Sequence, residues 1–531
     1  MSSPIPWIRT RLSAMMFLEF LLWASWYVPI GGYMNSTLGY SGAQIGWIYT
    51  TTAIGAILAP MFVGFVADRY FATERVLAVL HLVGALCLLL ASLVSSFWLL
   101  MLLLIVNGLC FMPTLALCNS VAFRNIDDPD RFSRIAVFGT IGWIVSGLIV
   151  EFLMGGAVSG WFFFLAGGGA LIMAGYCLSL PHTPPKGAES ASGDVLGLGA
   201  VKLLQDPAFL VFAVCAFLIS IPLSFYFTWG NAFLVETDRP VPTALMTLCQ
   251  FSEIVVMLVM PWVIGRIGLK NVMVIGMGAW VVRYLLFSTL SLPLIVLGLL
   301  VHGFCYCFVF VASFIYVSKR SPPELSASAQ SFVALLMWGV GMFIGTVLAG
   351  TTGGFYPPQT VAAVKQVAQG TENLPSAALP DWPLATLEAK DKQVPLDLGK
   401  AAGLTGPQAI LLQWGEDQQQ LVIGKPKFLG QVPEAGVRVE RKLADGKVLS
   451  TTVYAKKDLL AALAKADANH DGIVTQAEWK EAQSHNWPPI WLWPALLAAI
   501  VCGLFWLGGK DVPPAEPQAA GPPTSEPERV G

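Results

Sequence analysis

Two ionisable residues stand where the sequence makes them expensive. Glu253 lies about twelve residues into one long apolar run, and Arg283 about twelve residues into the next. A charge at the centre of a bilayer costs roughly 2.5–3.5 kcal/mol even on insertion scales, so each needs a partner or a task. Facing one another, the two would lower each other's cost, either as a permanent ion pair or as one made and broken when a proton binds. Glu19, in the inner half of the first apolar run within FLEFLLWASWYVPIGGYM, either exchanges a proton or bonds a neighbouring helix. Histidine is the side chain that changes charge near neutral pH, yet a lone intramembrane histidine reads as a hydrogen-bond anchor. His81 and His302 are therefore given no further task.

A second constellation is DANHDGIVTQAE, residues 467–478. Asp467, Asn469 and Asp471 offer side-chain oxygens, Gly472 allows a sharp turn, and Ile473 offers a carbonyl. Thr475 can act directly or through water, and Glu478 can bind with both oxygens. This is the donor spacing of a calcium-binding EF-hand loop, and an isolated one binds in the range of about 0.1–1 mM. The alternative is a solvated acidic turn capping two helices.

Of the 18 Trp, those near the ends of apolar runs, such as Trp98, Trp487, Trp491 and Trp493, suit the membrane interface. Trp23, Trp26, Trp143 and Trp229 fall among polar and Gly-rich stretches, where an indole either packs in a core or stacks on a flat ligand.

The elements that must position these residues are membrane helices. Only 12% of the 531 residues are charged, against roughly 25% in an ordinary soluble domain. Apolar runs able to cross about 30 Å of hydrocarbon recur along the chain. Twelve are expected: 13–34, 42–66, 75–94, 97–123, 133–154, 160–180, 207–234, 241–264, 271–290, 292–316, 324–353 and 488–509. Arg9 and Arg11 lead into a run too long for a cleavable signal, so the first helix is expected to be its own insertion signal. Lys and Arg collect at the N-terminus and on alternate loops, whereas the opposite short loops hold Arg239 alone. Both termini are thus expected in the cytoplasm of a bacterial-type inner membrane. All nine Cys fall in expected spans, which implies no disulfide framework. A net charge of -2 gives no sign of a nucleic-acid partner, and no soluble-enzyme site is visible.

The spans divide into 1–180, an N-terminal six-helix bundle, and 207–353 with 488–509, a C-terminal one. Residues 181–206 form a Pro, Gly and Ser-rich cytoplasmic linker, and 510–531 a tail disordered by composition. Residues 354–487 form a polar insert between helices 11 and 12, expected outside. Strands are expected around QLVIGKPKFLG and VRVERKLADGKVLSTTVY, with a turn at Asp445-Gly446 and a helix over about 456–466. PMFVGFVADRYFATERV after the second run and PWVIGRIGLKNV after the eighth repeat one pattern six helices apart. The first copy, with Asp68, Arg69 and Arg75, resembles the signature loop of the major facilitator superfamily. The expected fold class is an all-α membrane protein of that type, two six-helix bundles with a soluble insert.

At FGTIGW (138–143), CQFSE (249–253), MPTLALCNS (112–120), KNVMVIGMGAWVVRYLLF (270–287) and LSASAQ (325–330), the chain resembles the nucleoside:proton symporter family. The likeness covers about residues 10–353 and the last helix. It implies proton-driven nucleoside uptake by alternating access, with no cofactor and with the solute held midway between the bundles. By motif it implies solute contacts at Thr140, Trp143, Gln250 and Glu253, joined by Trp23 and by Asn231 of the GN pair. Proton coupling falls to Glu253, with Arg283 and Glu19 as its candidate partners.

The chain also departs from the family pattern. The family's fifth-helix Arg position holds Ala136, with Arg134 two residues earlier and so about 200° around the helix. Polar seventh-helix positions hold Ser224 and Phe227, and the family's tenth-helix Asp position holds Cys307. These departures leave open a permease for another polar solute, such as a sugar or modified nucleoside, or an uncoupled uniporter. A transporter-derived sensor with a calcium-binding external domain is a further alternative. Expected partners are the solute, protons, the lipid bilayer and calcium, with the protein acting as a monomer.

Overall fold

The computed structural model describes residues 7–59, 70–126, 132–184, 198–237, 239–357 and 484–511, together with seven short strands between 376 and 475. Asp68, Arg69, the 456–466 helix, the tail beyond 511, and Asp467, Asn469, Asp471 and Glu478 lie outside the described residues.

Ten described helices are long and apolar enough to cross a membrane. They are α1 (Ile8–Ser36), α3 (Thr73–Ala91), α4 (Phe97–Arg124), α5 (Phe132–Leu153), α7 (Pro207–Glu236), α8 (Pro242–Ile267), α9 (Leu269–Ser288), α10 (Leu292–Arg320), α11 (Ser328–Phe355) and α12 (Trp487–Gly508). Two shorter apolar helices, α2 (Gly42–Ala59) and α6 (Phe162–Cys177), complete the order. Bilayer-spanning backbone satisfies its own hydrogen bonds only as helix or closed barrel, so these apolar runs fold as helices.

Small residues set the packing, because lipid gives helices little hydrophobic reason to associate and close backbone approach replaces it. A Cβ on Gly142 would lie 2.2 Å from the Phe17 carbonyl, and one on Gly55 2.3 Å from that of Gly108. These contacts join α5 to α1 and α2 to α4 within the first half. The same device joins the halves. A Cβ on Gly46 of α2 would stand 2.5 Å from the Thr346 carbonyl and 2.8 Å from the Gly350 Cα of α11. On α1, one on Gly31 would stand 2.9 Å from the Thr228 carbonyl of α7.

Polar contacts reinforce this end of the molecule. Asn35 Nδ2 donates to Glu236 Oε1 at 2.8 Å, and the Thr243 N–H donates to Glu151 Oε2 at 2.8 Å. His485, just before α12, lies with Nδ1 2.9 Å from Glu236 Oε1, while its backbone N–H donates to Oε2 at 2.9 Å. The Asn486 N–H donates to the Tyr356 carbonyl at 3.2 Å, so the end of α11 and the start of α12 meet. The two halves are closed against each other at the end carrying Asn35, Glu151 and Glu236.

At the other end, Asp206 caps α7 through the Ala208 N–H at 3.0 Å and accepts from Arg320 of α10 at 2.7 Å. The bonded Arg320 guanidinium, more than the capping N–H, holds the Asp206 carboxyl below its ordinary range.

In the 354–487 segment, β5 (Val437–Lys442) pairs antiparallel with β6 (Val448–Tyr454), on either side of Asp445-Gly446, which lie outside the described residues. The first strands are β1 (Ser376–Ala377), β2 (Val394–Leu396), β3 (Ile410–Leu412) and β4 (Gln420–Val422). β1 joins β5, β2 pairs β3, and β4 pairs β7 (Ile473–Thr475). Of the expected QLVIGKPKFLG strand region, Gln420–Val422 is a strand, and 423–430 lie outside the described residues.

Candidate functional site

The site begins on α8. Gln250 and Glu253 are three residues apart and share a helix face. The Gln250 side chain is 8% exposed and its Oε1 is buried without a hydrogen-bond partner. A buried amide oxygen in that condition costs about 1–3 kcal/mol, which a donor from a bound molecule would recover.

Glu253 Oε1 lies 2.9 Å from Nε2 of His302, and the other ring nitrogen, Nδ1, is in contact with Nη1 of Arg283. Arginine can only donate, so Nδ1 is the accepting nitrogen and the proton of the neutral ring sits on Nε2, directed at Glu253. Arg283 is completely buried, its guanidinium carbon 4.0 Å from the Tyr226 ring centre. Its Nη2 also contacts Cys249 Sγ at 3.7 Å. Glu253 and Arg283, expected to face each other directly, are joined through an imidazole. With Glu253 ionised the three groups sum to neutral, which is what a low-dielectric site tolerates.

His302 is the residue that sequence reasoning passed over. Its signal was available: it lies on the same helix as Cys307, five residues from the position where the family carries an Asp. A π-helical turn spans Cys307–Val311, a local irregularity common at functional sites. Cys307 Sγ reaches only the backbone carbonyl of Glu253, at 3.6 Å, while His302 reaches its carboxylate.

In the first half, Trp23 and Trp143 meet edge to face, ring centres 5.3 Å apart. Trp23 also touches Tyr27 at 5.8 Å, Tyr27 touches Phe227 of α7 at 5.2 Å, and Phe227 touches Tyr226 at 5.3 Å. Tyr226 lies 5.1 Å from His302. An unbroken run of rings thus leads from Trp143 to the Glu253 cluster across the boundary between the halves. Phe227, a departure from the family's polar pattern, forms the crossing. Trp23 Nε1 is buried and unpartnered, a donor without an acceptor, where Gln250 Oε1 is an acceptor without a donor.

Thr140 lies three residues before Trp143 on the same face of α5, half-buried. Asn231 is placed elsewhere. It is fully buried at the closed end, Nδ2 3.4 Å from Thr243 Oγ1, and a Cβ on Gly32 would stand 2.4 Å from its Oδ1. Trp26 and Trp229 are core residues, the latter donating to the Ala349 carbonyl at 2.8 Å. Glu19 pairs with His81 inside the first half, Oε2 to Nε2 3.1 Å, remote in the fold from α8. Among the described residues no group of three or more His, Cys, Asp or Glu could hold a metal ion.

Residues 7–367 match the Nucleoside H+ symporter family. The chain belongs to that family. YegT of Escherichia coli (strain K12) is 40% identical over 356 residues, 64% of this chain and 83% of YegT. The xanthosine permease of the same strain is 32% identical over 369 residues, 65% of this chain and 87% of the permease. Among solved structures, the nucleoside transporter NupG superposes with a TM-score of 0.60 at 29% identity, covering 66% of this chain and 91% of NupG. The family's members are transporters, not enzymes, and they need no cofactor. The fold is that of major facilitator transporters, multi-pass and membrane-embedded.

Proposed function

We propose that this protein carries a nucleoside across the inner membrane together with protons, by alternating access between two six-helix halves. The observation that carries the reading is the buried, unpartnered Gln250 Oε1 beside Glu253, joined by contiguous rings to Trp143 and Trp23. A nucleoside presents a flat base for an aromatic face and hydroxyls for amide and carboxylate oxygens. Trp143 and Trp23 would stack on the base, Gln250 and Glu253 would accept from ribose hydroxyls, and Thr140 would complete the contacts. Asn231 would act at the closed end, where separating the halves would free its carbonyl oxygen for solute.

Proton coupling falls to Glu253. Protonating it adds a positive charge to a cluster balanced by Arg283, so the loaded form favours a conformation in which the cluster opens to water. Uptake of labelled nucleoside into proteoliposomes, with proton flux followed by an internal pH dye, tests this directly. Nucleoside-dependent proton entry is expected; uptake without it would make the protein a uniporter, and uptake of sugars alone would remove the nucleoside.

The same proposal includes twelve crossings, divided at 1–180, 181–206, 207–353, 354–487, 488–509 and 510–531. Both termini are cytoplasmic, the 354–487 insert is outside, and the working unit is a monomer in lipid. The charge bias of the loops supports the orientation. Calcium at 467–478 rests on the donor spacing, together with the extended backbone at Ile473–Thr475, the seventh to ninth loop positions. Terbium luminescence on the full-length protein tests it, and no displacement by millimolar calcium would exclude a metal role.

A further inference from the structure

The end of α7 carries a carboxylate in an unfavourable place. Glu236 is the last residue of α7, and a negative charge at a helix C-terminus opposes the macrodipole. Donors converge on it from two directions and hold it there. Asn35 Nδ2 of α1 donates to Oε1 at 2.8 Å. His485, two residues before α12, supplies two more bonds, its backbone N–H to Oε2 at 2.9 Å and its Nδ1 to Oε1 at 2.9 Å. An ionised carboxylate can only accept, so Nδ1 carries a hydrogen. Arg239, three residues further along, turns instead to the Leu290 carbonyl at 2.5 Å.

The imidazole of His485 has little freedom of its own. It packs against the indoles of Trp229 and Trp487, ring centres 5.0 and 5.3 Å away, and its side chain is 5% exposed. Trp229 is fixed in turn by its bond to the Ala349 carbonyl, with Gly353 of α11 leaving room beside the indole. Three helices of the second half, α7, α11 and α12, thus hold the imidazole, and the imidazole holds Glu236 in the rotamer that meets Asn35 of the first half. Ordering a long acidic side chain in advance removes an entropic cost from the contact it makes. When the halves part, His485 and Glu236 travel together, whereas Asn35 withdraws. His485 ends the 354–487 segment and lies beyond residues 7–367 that match the family, so the family pattern does not supply it.

We propose that His485 is a positioning residue of the transport cycle: it orients Glu236 for Asn35, and through it the root of the 354–487 segment sets how firmly the two halves close at this end. The inference rests on the alternating-access reading given above. Without the imidazole donor, Glu236 can turn to water. That weakens the closed form, in which Glu236 must reach Asn35, and leaves the open form, in which it need not, almost unchanged. The equilibrium between the two then moves toward the open form.

The test is the distance between the halves, read by double electron–electron resonance on the full-length protein in lipid nanodiscs without solute. Spin labels go on Ser96→Cys in the first half and Thr289→Cys in the second, both exposed beside the closed end. The native Cys are buried or half-buried, so the engineered pair labels first. His485→Ala is expected to raise the ratio of long to short distance roughly tenfold, the worth of about one bond to a buried charge. His485→Phe keeps the packing against both indoles but lacks the donor. It is expected to match His485→Ala, and it carries the test should the Ala protein fail to fold. His485→Asn, which puts an N–H where Nδ1 stands, is expected to restore much of the short distance. In an Asn35→Ala background His485→Phe is expected to add little, because its effect passes through the bond between Glu236 and Asn35. A His485→Phe protein that closes as the wild type does would leave the imidazole a space-filling role and overturn the proposal, as would a full effect in the Asn35→Ala background. Gly46→Val, which blocks the closed end by packing alone, separates this failure from that of the underlying reading. A distance that does not lengthen even there would sink alternating access at this end, whereas lengthening there with none in His485→Phe would remove His485 only.

Discussion

His302 stands between Glu253 and Arg283, with Nε2 2.9 Å from the Glu253 carboxylate and Nδ1 turned to the guanidinium. An arginine that saturates one ring nitrogen dictates the tautomer, so the imidazole can only donate to Glu253. The carboxylate feels Arg283 without touching it. A change at either end is passed on as the turning of one ring.

Replacing His302 with Ala should therefore hurt more than the loss of a packing group. It leaves a buried guanidinium and a buried carboxylate without their common partner, a change worth about 3–5 kcal/mol. Thermal unfolding in detergent is expected to show a fall of that size, and His302→Ala/Glu253→Gln/Arg283→Met should recover much of it. Equal losses in the single and triple variants would mean that the ring serves only to fill space.

Glu253→Gln should separate two transport modes. Accumulation against a gradient needs the proton to load and leave, whereas exchange of internal for external solute does not. Accumulation is expected to fall by about tenfold or more, within the usual 5–150-fold range of a coupling free energy, while exchange changes little. A parallel fall in both would point to a binding or structural role.

Gln250→Ala should weaken solute affinity by roughly tenfold, the value of about one buried hydrogen bond. Trp143→Ala should weaken it similarly by removing a stacking face. Both are read by scintillation proximity binding, and a Gln250→Ala protein that binds as the wild type does would exclude Gln250 from the site.

Gly46→Val tests the closure between the halves. A side chain there would run into the Thr346 carbonyl and Gly350, so the closed end could not form. Transport should be lost while a reagent attacking an engineered Cys at Ser41 gains access. Unchanged labelling would show that this contact does not gate.

Asp206 and Arg320 give a pH dependence with a definite sign. The folded carboxyl titrates below its unfolded value near 3.9, so its stabilisation is complete above that value and is lost as pH falls through the lower, folded one. Asp206→Asn keeps the helix cap but removes the charge. It should cost at most about 1 kcal/mol at pH 7, since the pair is partly exposed, and converge on the wild type in strong acid. A constant difference at all pH values would assign the effect to packing.

Much of this was legible beforehand for reasons that can be named. Apolar runs fix helices in lipid because the backbone has no other way to satisfy itself, and Glu253 and Arg283 stood out because charge there is rare. What the sequence concealed was rotation. Nothing in spacing along α10 says that His302, rather than Cys307, turns toward the Glu253 carboxylate, because a π-helical turn beginning at Cys307 alters the angular register. Asn231 illustrates the same limit: the motif grouped it with the expected solute contacts, yet it packs beside Gly32 at the closed end. Glu19 and His81 lie on different helices, and only tertiary packing brings them to 3.1 Å.

The bond from Asn486 to Tyr356 brings the chain back to the place it left after α11. Among the described residues, the two ends of the intervening sequence are therefore fastened to each other, like a ring closed by its own clasp. Both ends of that stretch thus leave and rejoin the helices at one point, which makes it a single mooring on a moving machine.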